Sequence, residues 1–233
     1  MNAFARGLGV VSLALVAGAC EPRAPTVYSP EAYAPRVPRG TTYRWSFDGT
    51  APTPGTGGVS ASPERVFDAM LGHWGVQPDA DATSLPGVYR QDVRFGPLDA
   101  PRVLVRGLAF GDLDASVRCR VDAGAIAQGC GLVFDARDSD RYFVARADAV
   151  EGTVSLVHVT SDGEREVAHA RALVTPHVWH SLAVQARGEQ IVVTWDGERV
   201  IAAVDWAREG GRIGLATIAD AVTSFDDLEV TAD

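Results

Sequence analysis

Ile191-Val192-Val193-Thr194-Trp195-Asp196-Gly197-Glu198-Arg199-Val200 carries the pattern on which the fold turns. Ile191, Val193 and Trp195 alternate with Val192 and Thr194, so they share one face of an extended chain and belong in a core. Asp196-Gly197 follows at once. That dipeptide suits a two-residue hairpin, whose turn positions both need positive φ. A second strand over 199–205 completes the unit.

The same reading extends outward in both directions. Short β patterns occupy 88–94, 102–106, 115–121, 130–135, 141–148, 153–160, 164–172, 179–187, 190–195, 199–205, 211–217 and 224–231, with Asp162-Gly163 as a further hairpin signal. Tyr43-Arg44-Trp45-Ser46-Phe47-Asp48 alternates strictly and predicts an earlier strand. Ser62-Pro63-Glu64 has the capping chemistry of a helix start, and a short helix is expected over 62–71. Roughly a dozen short strands with little helix define an all-β antiparallel sandwich or barrel. Over 141–147, Tyr142, Val144 and Arg146 share one face, and Phe143, Ala145 and Ala147 the other. Phe225 and Leu228 stand three apart in the last strand, which implies a bulge at Asp226-Asp227.

The first 41 residues read differently. Residues 1–19 form a leader with Arg6 ahead of an apolar run from Gly7 to Ala19, too short to span a bilayer and suited to a signal peptide. Ala17-Gly18-Ala19 is a small-residue cleavage site that leaves Cys20 first, so Cys20 is the expected lipidation site of an exported, membrane-anchored lipoprotein at the periplasm or cell surface. Residues 20–41 form a Pro-rich tether, with prolines at 22, 25, 30, 35 and 38, and residues 42–233 form one β domain. The net charge of −9 excludes a nucleic-acid partner on electrostatic grounds. All 21 basic residues are Arg, and Asn2 is the only Asn, so sugar recognition by Asn amides is closed to the mature chain.

Cys119 and Cys130 are the remaining cysteines. If 115–121 and 130–135 pair across a loop centred between Gly124 and Ala125, the two face each other directly and form a disulfide; the alternative is two buried thiols.

From Gly131-Leu132-Val133-Phe134-Asp135 through Tyr142-Phe143-Val144-Ala145-Arg146-Ala147, Val154-Ser155-Leu156, Trp179-His180-Ser181-Leu182-Ala183-Val184, Val193-Thr194-Trp195-Asp196-Gly197, Gly210-Gly211-Arg212-Ile213-Gly214-Leu215 and Phe225-Asp226-Asp227-Leu228-Glu229-Val230, the chain resembles the concanavalin A-like lectin/glucanase superfamily. Within it, the likeness is to bacterial laminin G-like and 3-keto-disaccharide hydrolase-like domains, from Leu113 to Val230. The resemblance implies a two-sheet β-sandwich of the jelly-roll kind. It leaves the activity open, because such folds serve lectins, enzymes and interaction modules.

The superfamily's glucanases carry a Glu-x-Asp-x-x-Glu strand, and none occurs here; Asp226, Asp227 and Glu229 match the closing strand instead. No other catalytic constellation or cofactor motif stands out, and His177 and His180 lack a third zinc ligand. The resemblance places Tyr142, Arg146 and Asp148 along one sheet, with Arg118 and Arg120 projecting from a neighbouring strand, as the expected ligand-binding set. It also brings the first and last strands together, so Asp48, Asp226 and Asp227 could hold one structural calcium. The leading expectation is non-catalytic binding of carbohydrate or cell-envelope material. A glycan or 3-keto-disaccharide hydrolase, and a structural or protein-interaction module of the envelope, are the alternatives.

Overall fold

The computed structural model describes residues 35–48 and 66–233. The leader, Cys20 and most of the tether lie outside those residues, as does the start of the expected helix. Fifteen strands follow in chain order: β1 (Thr42–Trp45), β2 (Phe67–Leu71), β3 (Trp74–Pro78), β4 (Gly87–Gln91), β5 (Arg102–Val105), β6 (Leu113–Ala123), β7 (Gly129–Ala136) and β8 (Tyr142–Asp148). The remainder are β9 (Thr153–Thr160), β10 (Gly163–Arg171), β11 (His180–Arg187), β12 (Gln190–Trp195), β13 (Glu198–Val204), β14 (Arg212–Ala216) and β15 (Val222–Ala232).

They form two antiparallel sheets. An eight-stranded sheet runs β13-β12-β11-β6-β15-β4-β3, with β1 also paired to β15; a seven-stranded sheet runs β10-β9-β8-β7-β14-β5-β2. The cause is visible in β6, where Leu113, Ala115, Val117, Cys119 and Val121 are buried while Asp114, Ser116 and Arg118 point the other way. Ile191, Val193 and Trp195 lie in the same core, facing Phe143, Ala145 and Ala147 of the other sheet. The two-layer sandwich follows from burying these period-two faces against each other. A smaller apolar cluster, including Val133, Tyr142 and Val144, covers the outward face of the seven-stranded sheet.

The Asp196-Gly197 hairpin forms as its sequence predicts, with Trp195 opposite Glu198 and both turn residues at positive φ, 47° and 82°. At the other expected hairpin, Thr160 pairs with Gly163, so the turn residues are Ser161-Asp162 and Gly163 opens β10. The bulge in β15 is present: the register against β6 shifts between Asp226 and Glu229, and Asp227 has a φ of 47°.

Three expectations are corrected. Residues 67–71 form strand β2, because the edge of β5 offers pairing from Phe67 to Leu71 that outweighs the helical pattern. Residues 35–41, read as tether, are tied to the body: Val37 is buried and its N–H donates to Ala109 O at 2.8 Å. Most consequentially, β6 and β7 are not a hairpin. They belong to opposite sheets, joined by a corner at 124–128 whose Ala125, Ile126 and Ala127 N–H groups all donate to the Asp220 carboxylate, at 2.8–3.1 Å. Gly124 has to be glycine, since a Cβ there would lie 2.0 Å from Ala127 O. The Cys119–Cys130 disulfide exists and joins one sheet to the other through the core.

The cysteines are separated by only 11 positions, and a loop that short predicts a loss of about 2–3 kcal/mol on removing the bond. Urea unfolding of the Cys119→Ala/Cys130→Ala protein will measure that loss, with the β signal in far-ultraviolet circular dichroism retained. An unchanged midpoint would show that the disulfide contributes nothing beyond the packing.

Candidate functional site

The sandwich carries a cavity of about 440 Å³ at one end, where the β13–β14 loop (205–211), the β11–β12 turn at Gly188-Glu189 and the loop leading into β6 converge. Segment 36–39 and the end of β15 complete the wall.

One side chain organises these loops. The Arg208 guanidinium is 3% exposed and donates from Nε to Asp135 Oδ2 at 2.9 Å and from Nη2 to Asp135 Oδ1 at 3.2 Å. Nη2 also reaches the Gly111 carbonyl at 3.0 Å, and Nη1 the Gly188 carbonyl. Asp135 is brought to this position by a φ of 50° where β7 breaks register with β14. Burial pushes its carboxyl above the ordinary carboxylate range, and Arg208 opposes the rise. The loops also close on each other through paired Phe110–Gly211 backbone bonds at 2.8 and 2.9 Å, and Gly188 N donates to Asp112 Oδ1 at 2.8 Å. Gly210, at a φ of 77°, tolerates no side chain, because a Cβ would come within 2.5 Å of Phe110 O.

Trp206 is forced outward. Asp205 is buried, pairs with Arg165 and accepts the Ala207 N–H at 2.9 Å, which bends the chain around the tryptophan. Trp206 is left 78% exposed, the one exposed Phe, Tyr or Trp among the described residues. Of the lining carboxylates, Glu209 pairs with Arg137, Asp233 with Arg187, and Asp112 lies 3.6 Å from Arg208.

The residues expected to bind ligand are elsewhere, and the sandwich separates them. Arg118 and Arg120 project from the outward face of the eight-stranded sheet; Tyr142, Arg146 and Asp148 belong to the outward face of the other. Arg120 is held by Asp79 and Asp122, both at 2.6 Å, and its guanidinium lies 4.9 Å from the centroid of Trp179. That hydrogen bond from Arg120 holds the Asp79 carboxyl below the usual carboxylate range. Arg118 Nε is buried without a hydrogen-bond partner. Tyr142 is buried beneath Arg102, Arg146 pairs with Glu164 at 3.2 Å, and Asp148 accepts the N–H groups of Gln128 and Val150. Each of these three is engaged in holding its own sheet and turns.

Asp226 Oδ2 accepts from Ser84 N and its Oδ1 from Ser84 Oγ, while Thr83 Oγ1, with one hydrogen to give, lies 2.8 Å from both Asp226 Oδ2 and Asp227 Oδ2. Among the described residues no group of three or more His, Cys, Asp and Glu side chains gathers around a common point, and Asp48, Asp226 and Asp227 do not form one. His180 stacks on Trp195 and bonds Asp196 at 2.6 Å, a latch at the head of β11.

No protein-family model and no curated protein matches the chain. Solved structures do. The carbohydrate binding module CBM66 from Bacillus subtilis superposes with a TM-score of 0.60 at 16% identity, over 71% of this chain and 95% of that one. The apo Crh5 transglycosylase gives 0.56 at 12% identity, over 87% of each chain. A Bacillus subtilis protein of unknown function with a galectin-like fold gives 0.55 at 13%, over 83% and 97%. The likeness is one of fold.

The cavity was missed in the sequence because its wall is drawn from five separated segments. The available signal was local: a Trp between Asp205 and Arg208 just ahead of Gly210-Gly211, outside any alternating pattern.

Two outcomes test these assignments. Arg208→Met strands a buried carboxylate and is expected to cost about 3–5 kcal/mol in denaturant unfolding, whereas adding Asp135→Leu recovers part of the loss; a double variant worse than the single would refute the pairing. Asp79, with its folded pKa depressed, stabilises the protein above the unfolded carboxylate value of about 3.9, and the gain is lost as pH falls through the folded value. The stability difference between the parent and Asp79→Asn should therefore be full at pH 7 and shrink below about pH 4. Parallel Tm–pH curves would count against it.

Proposed function

We propose that the chain is an exported, lipid-anchored protein that binds glycans non-catalytically in the cavity beside Trp206. The observation that carries the reading is Trp206, 78% exposed at the rim of a polar cavity of about 440 Å³. Sugars present C–H faces to an aromatic plate and hydroxyls to surrounding polar groups, and this mouth offers both. A rigid frame supports it: the loops meet on a buried guanidinium, so the site is preorganised.

Binding is favoured over hydrolysis by the state of the carboxylates. A retaining hydrolase needs two carboxyl groups about 5–5.5 Å apart and free to act, whereas Asp112, Glu209 and Asp233 are already engaged with arginines. Export is supported by the 1–19 leader and by a disulfide in the core. Anchoring is supported by Cys20 after a small-residue cleavage site. The sandwich fold shared with a carbohydrate binding module accords with the reading, at an identity that speaks to fold alone.

A glycan array followed by calorimetry on the retained sugars is the test. Trp206→Ala should weaken binding about ten-fold or more while leaving Tm unchanged. Binding that survives the substitution would move the site elsewhere.

A further inference from the structure

The charged groups of the cavity are unequally matched. Three of its four acidic side chains, Asp112, Glu209 and Asp233, have an arginine within ion-pair distance, Arg208, Arg137 and Arg187, with Arg208 shared with Asp135 and Arg187 with Asp114. Two arginines are not so matched. Arg36 gives one exposed hydrogen bond, to the backbone carbonyl of Glu209 at 3.2 Å, and Arg39 makes no ion pair or side-chain hydrogen bond among the described residues. Both stand on segment 36–39, which is pinned against the body by the Val37–Ala109 and Gly40–Ala232 backbone bonds at 2.8 and 2.7 Å. The lining contains no Asn, Gln or His, the neutral planar groups that serve uncharged hydroxyls.

Resting on the glycan-binding reading, we propose that this cavity selects acidic glycans, taking a sugar carboxylate on the guanidinium groups of Arg36 and Arg39 while Trp206 carries the ring. A guanidinium offers a planar fork of N–H donors that matches a carboxylate two oxygens at a time, which a hydroxyl cannot do. The remaining acid, Glu189, is available to a hydroxyl of the same or the next sugar. The preference is local: with a net charge of −9 the protein exerts no long-range pull on a polyanion. It is therefore set by contact at the mouth and weakened by salt.

The test is calorimetry of the purified full chain with galacturonate, glucuronate and mannuronate oligosaccharides, each beside its carboxyl-reduced counterpart, and with a sulfated neutral oligosaccharide. At least one uronate should bind about ten-fold or more tightly than its reduced form. The Arg36→Gln/Arg39→Gln protein should bring the two affinities within about two-fold of each other, while Trp206→Ala weakens both. Equal affinity for a uronate and its reduced form, with Trp206 still required, overturns the acid preference and leaves glycan binding standing. A preference that survives the double arginine variant, or one stronger for the sulfated sugar, also overturns it. Failure of every sugar to bind the parent protein removes the glycan reading and this inference together.

Discussion

Each sheet turns its larger apolar face toward the other, and only that contact dries it. Leu113, Val117 and Leu182 on one side meet Leu132, Phe143 and Leu156 on the other, all essentially shut off from water. Burying side chains of this size is worth about 1.5–3 kcal/mol apiece, so the contact between the layers dominates the stability. Its geometric consequence is that successive strands must sometimes change layer. The passage from β6 to β7 is such a change, and it uses an aspartate from a distant loop to receive three consecutive N–H groups. Cys119 and Cys130 then lie across the core from each other, not side by side.

The exchange between layers explains how much of the molecule could be read from the chain. Strands β12 and β9 match the expected ranges 190–195 and 153–160 because alternation and turn residues are written locally. β2 was hidden because Phe67-Asp68-Ala69-Met70-Leu71 has no clean alternation and follows a helix-capping sequence; its conformation comes from β5. β3 was missed because Gly75 and Pro78 interrupt its pattern. Sheet membership was not legible at all. A five-residue gap between β6 and β7 reads as a hairpin, and only Asp220 and the packing decide otherwise. The ligand residues expected by resemblance were consequently divided between two outward surfaces, while the cavity gathered residues that no linear pattern connects.

A chain without lysine has guanidinium groups as its permanently charged side-chain cations. The structure exploits their fork geometry. Arg90 and Arg120 share Asp79 and Asp122 on one surface, with Ser224 donating to Asp122 as well. Arg212 is almost wholly buried and reaches Asp68 at 3.3 Å. Flat groups of this kind stack as well as bond, as Arg102 does on Tyr142 and Arg120 on Trp179. Polar side chains thereby cover outward sheet faces that would otherwise leave aromatic surface in water.

Arg208 touches the carbonyls of Gly111 and Gly188 while itself belonging to a third loop. Those segments are therefore one mechanical unit and not three independent ones. Reshaping the mouth by exchanging a single loop would unseat the hub, so diversification of this scaffold has to proceed by replacing whole rims that keep the central fork and its acceptors.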